Sequence, residues 1–161
     1  MTRAREVQLQ LEDLAATDRL GRAIGAELQA GDVVVLAGDL GAGKTALTKS
    51  IALGLGITET ITSPTFVISR VHPGPRVSLV HVDAYRLGGA LELEDLDLDT
   101  DLAQAAVVVE WGTGLAEQFA EYPLAVALRR RSDDVRDCTV SGDPARWSSL
   151  IAALRGISPR A

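Results

Sequence analysis

A short apolar run, Val33-Val34-Val35-Leu36-Ala37, leads directly into Gly38-Asp39-Leu40-Gly41-Ala42-Gly43-Lys44-Thr45. No other stretch constrains the fold as strongly. The first half is β-branched, follows the turn signal Gly31-Asp32, and predicts a buried strand. The second half satisfies the spacing GxxxxGK[ST] at every fixed position. Glycines at such spacing let backbone N–H groups turn inward and approach phosphate oxygens, which a Cβ would obstruct. Lys44, expected at a solvent-open site, can reach the β- and γ-phosphates, and the Thr45 hydroxyl can bind Mg²⁺. Ala46, Leu47, Ser50, Ile51 and Leu53-Gly54 then read as a helix whose N-terminus faces the anion. The competing reading, an ordinary Gly-rich loop, does not account for a strand before and a helix after it. This is a phosphate-binding loop.

The flanking sequence extends the pattern to an α/β domain. Val7, Leu9 and Leu11 alternate with Gln8 and Gln10 as a half-buried strand. Leu14, Thr17, Leu20-Gly21, Ile24 and Leu28 recur at helical spacing, and Gly31 stands where a C-cap would. Gly54 and Gly56 end the helix after the loop. Phe66–Ile68 and Val77–Val82 read as two strands of a hairpin across His72-Pro73-Gly74-Pro75. Leu124–Leu128 and Val135–Val140 read as two more, with Arg129-Arg130-Arg131 between them either a basic patch or a solvated hairpin tip. Leu115 and Phe119 suggest a short helix before Tyr122-Pro123. Asp143-Pro144 opens a closing amphipathic helix in which Trp147 belongs to the core. The expected architecture is one α/β P-loop domain, residues 1–156, with a mixed central sheet flanked by helices. Residues 157–161 are expected to be a tail.

Two carboxylates follow buried runs. Asp83 ends the second hairpin strand in His81-Val82-Asp83-Ala84-Tyr85-Arg86, and Glu110 follows Ala106-Val107-Val108-Val109. An acid at such a strand end can bind the Mg²⁺ shell or orient a water, and the residues alone leave open which acid does which. The hydroxyl-rich loop Ile57–Thr65, kinked at Pro64, can serve as a switch segment or as a polar connection. The acidic segment Glu92–Asp101 reads as a solvated face, with a docking surface for a basic partner as the sharper alternative. Arg86 is the nearest candidate for an arginine finger.

Composition narrows the partners. A formal charge of −6 argues against a chain that wraps nucleic acid by itself. The single cysteine, Cys138, excludes an intrachain disulfide and suits a reducing compartment. No apolar run approaches a membrane span, and the N-terminus carries no apolar signal core, so a cytoplasmic location is expected.

Four strings in order, Gly38–Thr45, Ser63-Pro64-Thr65-Phe66, His81–Leu87 and Glu110-Trp111, resemble the signature of the TsaE family. These are small bacterial ATPases required for threonylcarbamoyladenosine in tRNA. The resemblance runs from about Thr17 to Arg136. It implies an ATPase with Mg²⁺-ATP, the metal held by Thr45 and Glu110, and Lys44, Asp83 and Glu110 as catalytic residues. It further implies nucleotide contacts from Thr17, Asp39, Leu40, Gly41, Ala42, Gly43, Lys44, Thr45, Ala46, Ser63, Thr65, Trp111 and Arg136. TsaD and TsaB are the implied partners, with tRNA contacted only through that complex, whose cycle ATP hydrolysis would reset. Ala84 departs from the bulky residue usual in the family. A small-molecule kinase and a non-hydrolysing nucleotide switch remain as alternatives. A GTPase is disfavoured, because no Asn/Thr-Lys-x-Asp string is present.

Overall fold

The computed structural model describes residues 5–38, 41–58, 69–83, 104–110 and 120–157. Among them are seven strands: β1 (Arg5–Leu11), β2 (Val33–Gly38), β3 (Ser69–His72), β4 (Ser78–Asp83), β5 (Ala105–Glu110), β6 (Leu124–Arg130) and β7 (Arg136–Gly142). The helices are α1 (Leu14–Glu27), α2 (Lys44–Gly54) and α3 (Pro144–Ile157). The strands form one mixed sheet in the order β1-β7-β6-β2-β5-β4-β3. β2 pairs in parallel with both β5 and β6, and β5 with β4; the pairs β1–β7, β6–β7 and β3–β4 are antiparallel.

Residue patterning explains this order. Every residue of β5 is buried, as are the first four of β2, as expected of central strands covered on both faces. β6, also paired on both sides, instead alternates buried and exposed, so one of its faces is left uncovered. Val34, Leu36, Leu79, Ala106, Val108, Val126 and Val140 share one core with Leu20, Ile24, Leu47, Ile51, Trp147 and Leu150 of the helices. Strand alternation puts Glu110 on that same face, in step with Ala106 and Val108.

α1 and α2 cross at close quarters. A Cβ on Gly25 would lie 2.2 Å from the Ile51 carbonyl oxygen, and one on Gly21 would lie 2.2 Å from Ser50 Cβ. α1 is capped by Asp13, whose Oδ1 accepts from Ala16 N at 2.8 Å. The helix stops at Glu27, and Leu28, expected to continue it, is extended at φ −70°, ψ 141°. Gly31 is therefore not the C-cap; it lies in the next turn, where Asp32 accepts from Gln29 N at 2.7 Å. The cause is tertiary. Arg76 donates to the carbonyls of Leu28 and Gly25, and Arg146 donates to the carbonyl of Glu27 at 2.7 Å while pairing with Asp32. Guanidinium donors satisfy the last carbonyls of the helix that a glycine cap would otherwise serve. α2 ends as its glycines predict: Gly56 N donates to Leu53 O at 3.0 Å and Ile57 N to Ala52 O at 2.9 Å, a Schellman motif.

A hairpin forms around Pro73-Gly74-Pro75, but His72, read as part of the turn, belongs to β3, where it pairs with Leu79; the strand read at residues 66–68 lies outside the described segments. α3 begins as read, with Asp143 Oδ1 accepting from Ala145 N at 2.8 Å and Trp147 wholly buried. The helix expected around Leu115 and Phe119 lies outside the described residues.

Cys138 is buried on β7, and burial pushes its thiol from the ordinary 9.0 up to about 12. The native protein should resist a thiol-reactive dye at pH 8 and react fully once unfolded in denaturant. Between pH 9 and about 12 the unfolded chain loses this proton while the native state keeps it. Stability should therefore fall as pH rises through that window, by at most about 1.4 kcal/mol per pH unit from this group. Denaturant melts at stepped pH, compared with Cys138→Ala, would measure the slope.

Candidate functional site

The phosphate loop leaves β2 at Gly38, in the middle of the sheet. The chain after α2 returns on the β5–β4 side, whereas the chain after β5 enters the sheet as β6 on the other flank of β2. A crevice beyond the carboxyl ends of parallel strands, at such a switch of side, is where open α/β sheets bind ligands. Gly43 has φ 106° and serves as the N-cap of α2 without a side-chain hydrogen bond, so its left-handed backbone explains the glycine. Gly38 is fixed by space: a Cβ there would lie 2.6 Å from the Leu128 carbonyl of neighbouring β6. Gly41 also has positive φ, and Ala42 is packed into the core.

Lys44 is 5% exposed rather than solvent-open, because its ammonium folds over the loop and donates to the Gly38 carbonyl at 2.6 Å. The charge is thus held against the backbone at the start of the loop. Thr45 and Ala46 follow, both partly buried, in the first turn of α2. That turn carries no acidic side chain, so the positive end of the helix dipole is not neutralised from within the helix.

Glu110 ends β5 opposite Leu36 of β2 and opposite Asp83 of β4. It is buried, and one carboxylate oxygen is hydrogen-bonded to Nε2 of His81, which is wholly buried. For Asp83 the backbone position, the last residue of β4, is what the structure describes. A magnesium ion takes hard oxygen donors. The Thr45 hydroxyl supplies that chemistry from the first turn of α2, and the Glu110 carboxylate from the end of β5. A carboxylate sustained by a buried hydrogen bond fits an ion-ligating role better than a turn role.

A cavity of about 360 Å³ opens beside the loop, lined by Leu11, Asp13, Leu14, Thr17, Gly43, Ala46, Arg130, Asp134 and Arg136 among others. Four residues named from the sequence, Thr17, Gly43, Ala46 and Arg136, therefore meet at one place. The sheet brings them together: β1 pairs with β7 so that Leu11 faces Arg136. Thr17 contributes a buried hydroxyl from the first turns of α1. Arg136 lies near the loop, its Nε 3.8 Å from where a Gly43 Cβ would be, and donates to the Asp134 carbonyl. Asp134 has φ 66° in the turn between β6 and β7, and the Arg130 guanidinium holds its carboxyl below the ordinary range. Asp39, Leu40, Ser63, Thr65 and Trp111 lie outside the described residues, as do Arg86, Ala84 and the acidic segment 92–101.

Sequence reasoning missed His81, Leu11, Asp13 and Leu14. A histidine inside an apolar strand, two residues before a candidate acid, was a signal for the first. The others depend on strand pairing that no local pattern encodes. Arg129 and Arg130, which end β6, and Arg131 just after it form no free basic patch. Arg129 pairs with Asp137 at 2.8 Å, Arg130 with Asp134 at 2.6 Å and Arg131 with Asp133 at 3.1 Å.

Fold and loop together define a P-loop nucleotide-binding α/β protein. Comparison with known proteins then supplies the family. Residues 11–138 match the profile described as threonylcarbamoyl adenosine biosynthesis protein TsaE. The tRNA threonylcarbamoyladenosine biosynthesis protein TsaE of Streptomyces coelicolor is 51% identical over 145 residues, covering 85% of this chain and 98% of that protein. Its Bacillus subtilis counterpart is 38% identical, covering 86% and 87%. The crystal structure of Bacillus subtilis YdiB superposes with a TM-score of 0.78 at 31% identity, covering 96% of this chain and 97% of that one. The chain belongs to the TsaE family. Among the described residues, no helix is long and apolar enough to cross a membrane.

Proposed function

We propose that this protein is a Mg²⁺-dependent ATPase of the tRNA threonylcarbamoyladenosine system, hydrolysing ATP to reset a TsaD–TsaB complex. The observation that carries the nucleotide reading is the contiguity of the cavity with the phosphate loop: Gly43 belongs to both, and Ala46 continues the wall from the first turn of α2. A cavity of about 360 Å³ is of a size to take a purine nucleoside, with apolar walls at Leu11 and Leu14 and polar groups at Thr17 and Arg136. The triphosphate would then run along the loop into the N-terminus of α2, where loop amides and Lys44 stabilise negative charge. Thr45 and Glu110 would hold Mg²⁺, whose charge would offset that of the phosphates. Asp83, registered beside Glu110, is the candidate to orient the attacking water.

Phosphoryl transfer to a bound alcohol finds less support. The three consecutive arginines that could have formed a closing lid are tied to carboxylates of their own hairpin. The same pairing, with a net charge of −6, leaves little positive field to attract tRNA, so contact with tRNA would run through the partners. Hydrolysis by the isolated chain is expected to be slow and to rise when TsaD and TsaB are added. Phosphate release with and without the partners, alongside a tRNA shift assay on the chain alone, tests this. A rate indifferent to the partners, or tight tRNA binding by the isolated chain, would overturn it.

A further inference from the structure

We infer that His81 is a positioning residue for Glu110, holding one carboxylate oxygen so that the other is presented to the cation at the phosphate loop. The inference rests on the reading of Glu110 as a metal ligand and adds to it a residue from a different strand. His81 sits on β4 opposite Val108 of β5, so Glu110 is its diagonal neighbour two residues further on. Strand alternation places His81 in step with Leu79 and Glu110 in step with Val108, and both of those residues belong to the core beneath the helices. The pair therefore lies at the edge of that core, His81 wholly buried and Glu110 5% exposed.

Nε2 of His81 meets Oε2 of Glu110, and among the described residues the buried Nδ1 has no hydrogen-bond partner. A histidine retained only for packing would cost free energy here, because an orphaned ring nitrogen at an apolar position is worse than a leucine. What the imidazole supplies that a leucine cannot is one donor, Nε2–H, aimed at the carboxylate. Donation from Nε2 ties the imidazole to the carboxylate. It also restricts rotation of the carboxylate and engages Oε2, leaving Oε1 the oxygen for a cation. Hydrogen bonds that orient a ligating carboxylate typically contribute 10- to 100-fold to metal affinity.

The test is Mn²⁺ affinity, followed by paramagnetic resonance, of the protein saturated with a non-hydrolysable ATP analogue. Wild type is compared with His81→Leu, His81→Gln and Glu110→Gln. His81→Gln can place an amide donor where Nε2 stands; His81→Asn, whose shorter amide matches Nδ1, cannot. The expected result is a roughly 10- to 100-fold loss in His81→Leu, recovery to within a few-fold in His81→Gln, and unchanged metal-free nucleotide binding in EDTA. Wild-type Mn²⁺ affinity in His81→Leu, with affinity lost in Glu110→Gln, would overturn the positioning role and leave Glu110 as ligand. Wild-type affinity in Glu110→Gln would overturn the ligand reading itself. Should His81→Leu not fold, equal Mn²⁺ affinity in the Gln and Asn variants would also overturn the proposal.

Discussion

Replacing Lys44 by alanine is expected to weaken ATP binding by roughly 10- to 150-fold, the equivalent of about 1.5–3 kcal/mol for a charge-assisted contact to phosphate. The ammonium already lies at the start of the loop, 2.6 Å from the Gly38 carbonyl, so it needs little reorganisation to meet an anion there. Its low exposure strengthens the electrostatic contribution, because water screens it less. The same burial means the substitution is not silent for the fold. The Gly38 carbonyl loses a donor, and the melting temperature should drop by a few degrees without loss of cooperativity. Calorimetric titration with ATP and a thermal melt of the same sample separate the two effects. Equal ATP affinity in wild type and variant would refute the loop assignment.

The second large effect concerns stability and comes from one chemical change made at two sites. Glycine to alanine inside a helix ordinarily stabilises by up to about 1 kcal/mol, through helix propensity and a less flexible unfolded chain. At Gly156 in α3 a Cβ meets nothing within 4 Å among the described residues, so Gly156→Ala should raise stability by a few tenths of a kcal/mol. At Gly25 the Cβ would meet the Ile51 carbonyl oxygen at 2.2 Å and the Gly54 Cα at 2.9 Å. Neither atom belongs to a side chain that can swing away, so α1 and α2 must separate. Overpacking of this kind costs about 1–3 kcal/mol, occasionally more, and outweighs the propensity gain. Gly25→Ala should therefore lower stability by about 2 kcal/mol, or roughly 4–8 °C in a domain of this size. Opposite signs for the two variants in denaturant melts would support the close crossing; a stabilised Gly25→Ala would disprove it.

These contrasts indicate where the sequence was legible. Local rules located β1, β2, α2 and the start of α3, because periodicity, a capping aspartate and a Schellman glycine act within a few residues. They also located the loop, whose spacing is dictated by phosphate geometry. They failed at the end of α1, where Arg76 and Arg146, 51 and 119 residues from the carbonyls they bond, decide the boundary. They also could not place Thr17 and Arg136 in contact with one cavity. That juxtaposition follows from the β1–β7 register, which pairs residues at opposite ends of the chain. The link between His81 and Glu110 is of the same kind, visible only once two strands lie in parallel.

The cavity wall is assembled from three separate parts of the chain: residues 11–17, 43–46 and 130–136. No one of them can hold a ligand alone, and the first and last meet only when β1 has closed the sheet against β7. A ligand of this cavity therefore binds the complete fold and not its fragments, so its binding energy adds to the resistance of the whole domain to unfolding. At one hundred times its dissociation constant such a ligand contributes about 2.7 kcal/mol. That increment would reach the slowest-exchanging amides of the central strands as much as those of the loop. Ligand occupancy and the integrity of the outermost strand are thus two readings of one equilibrium.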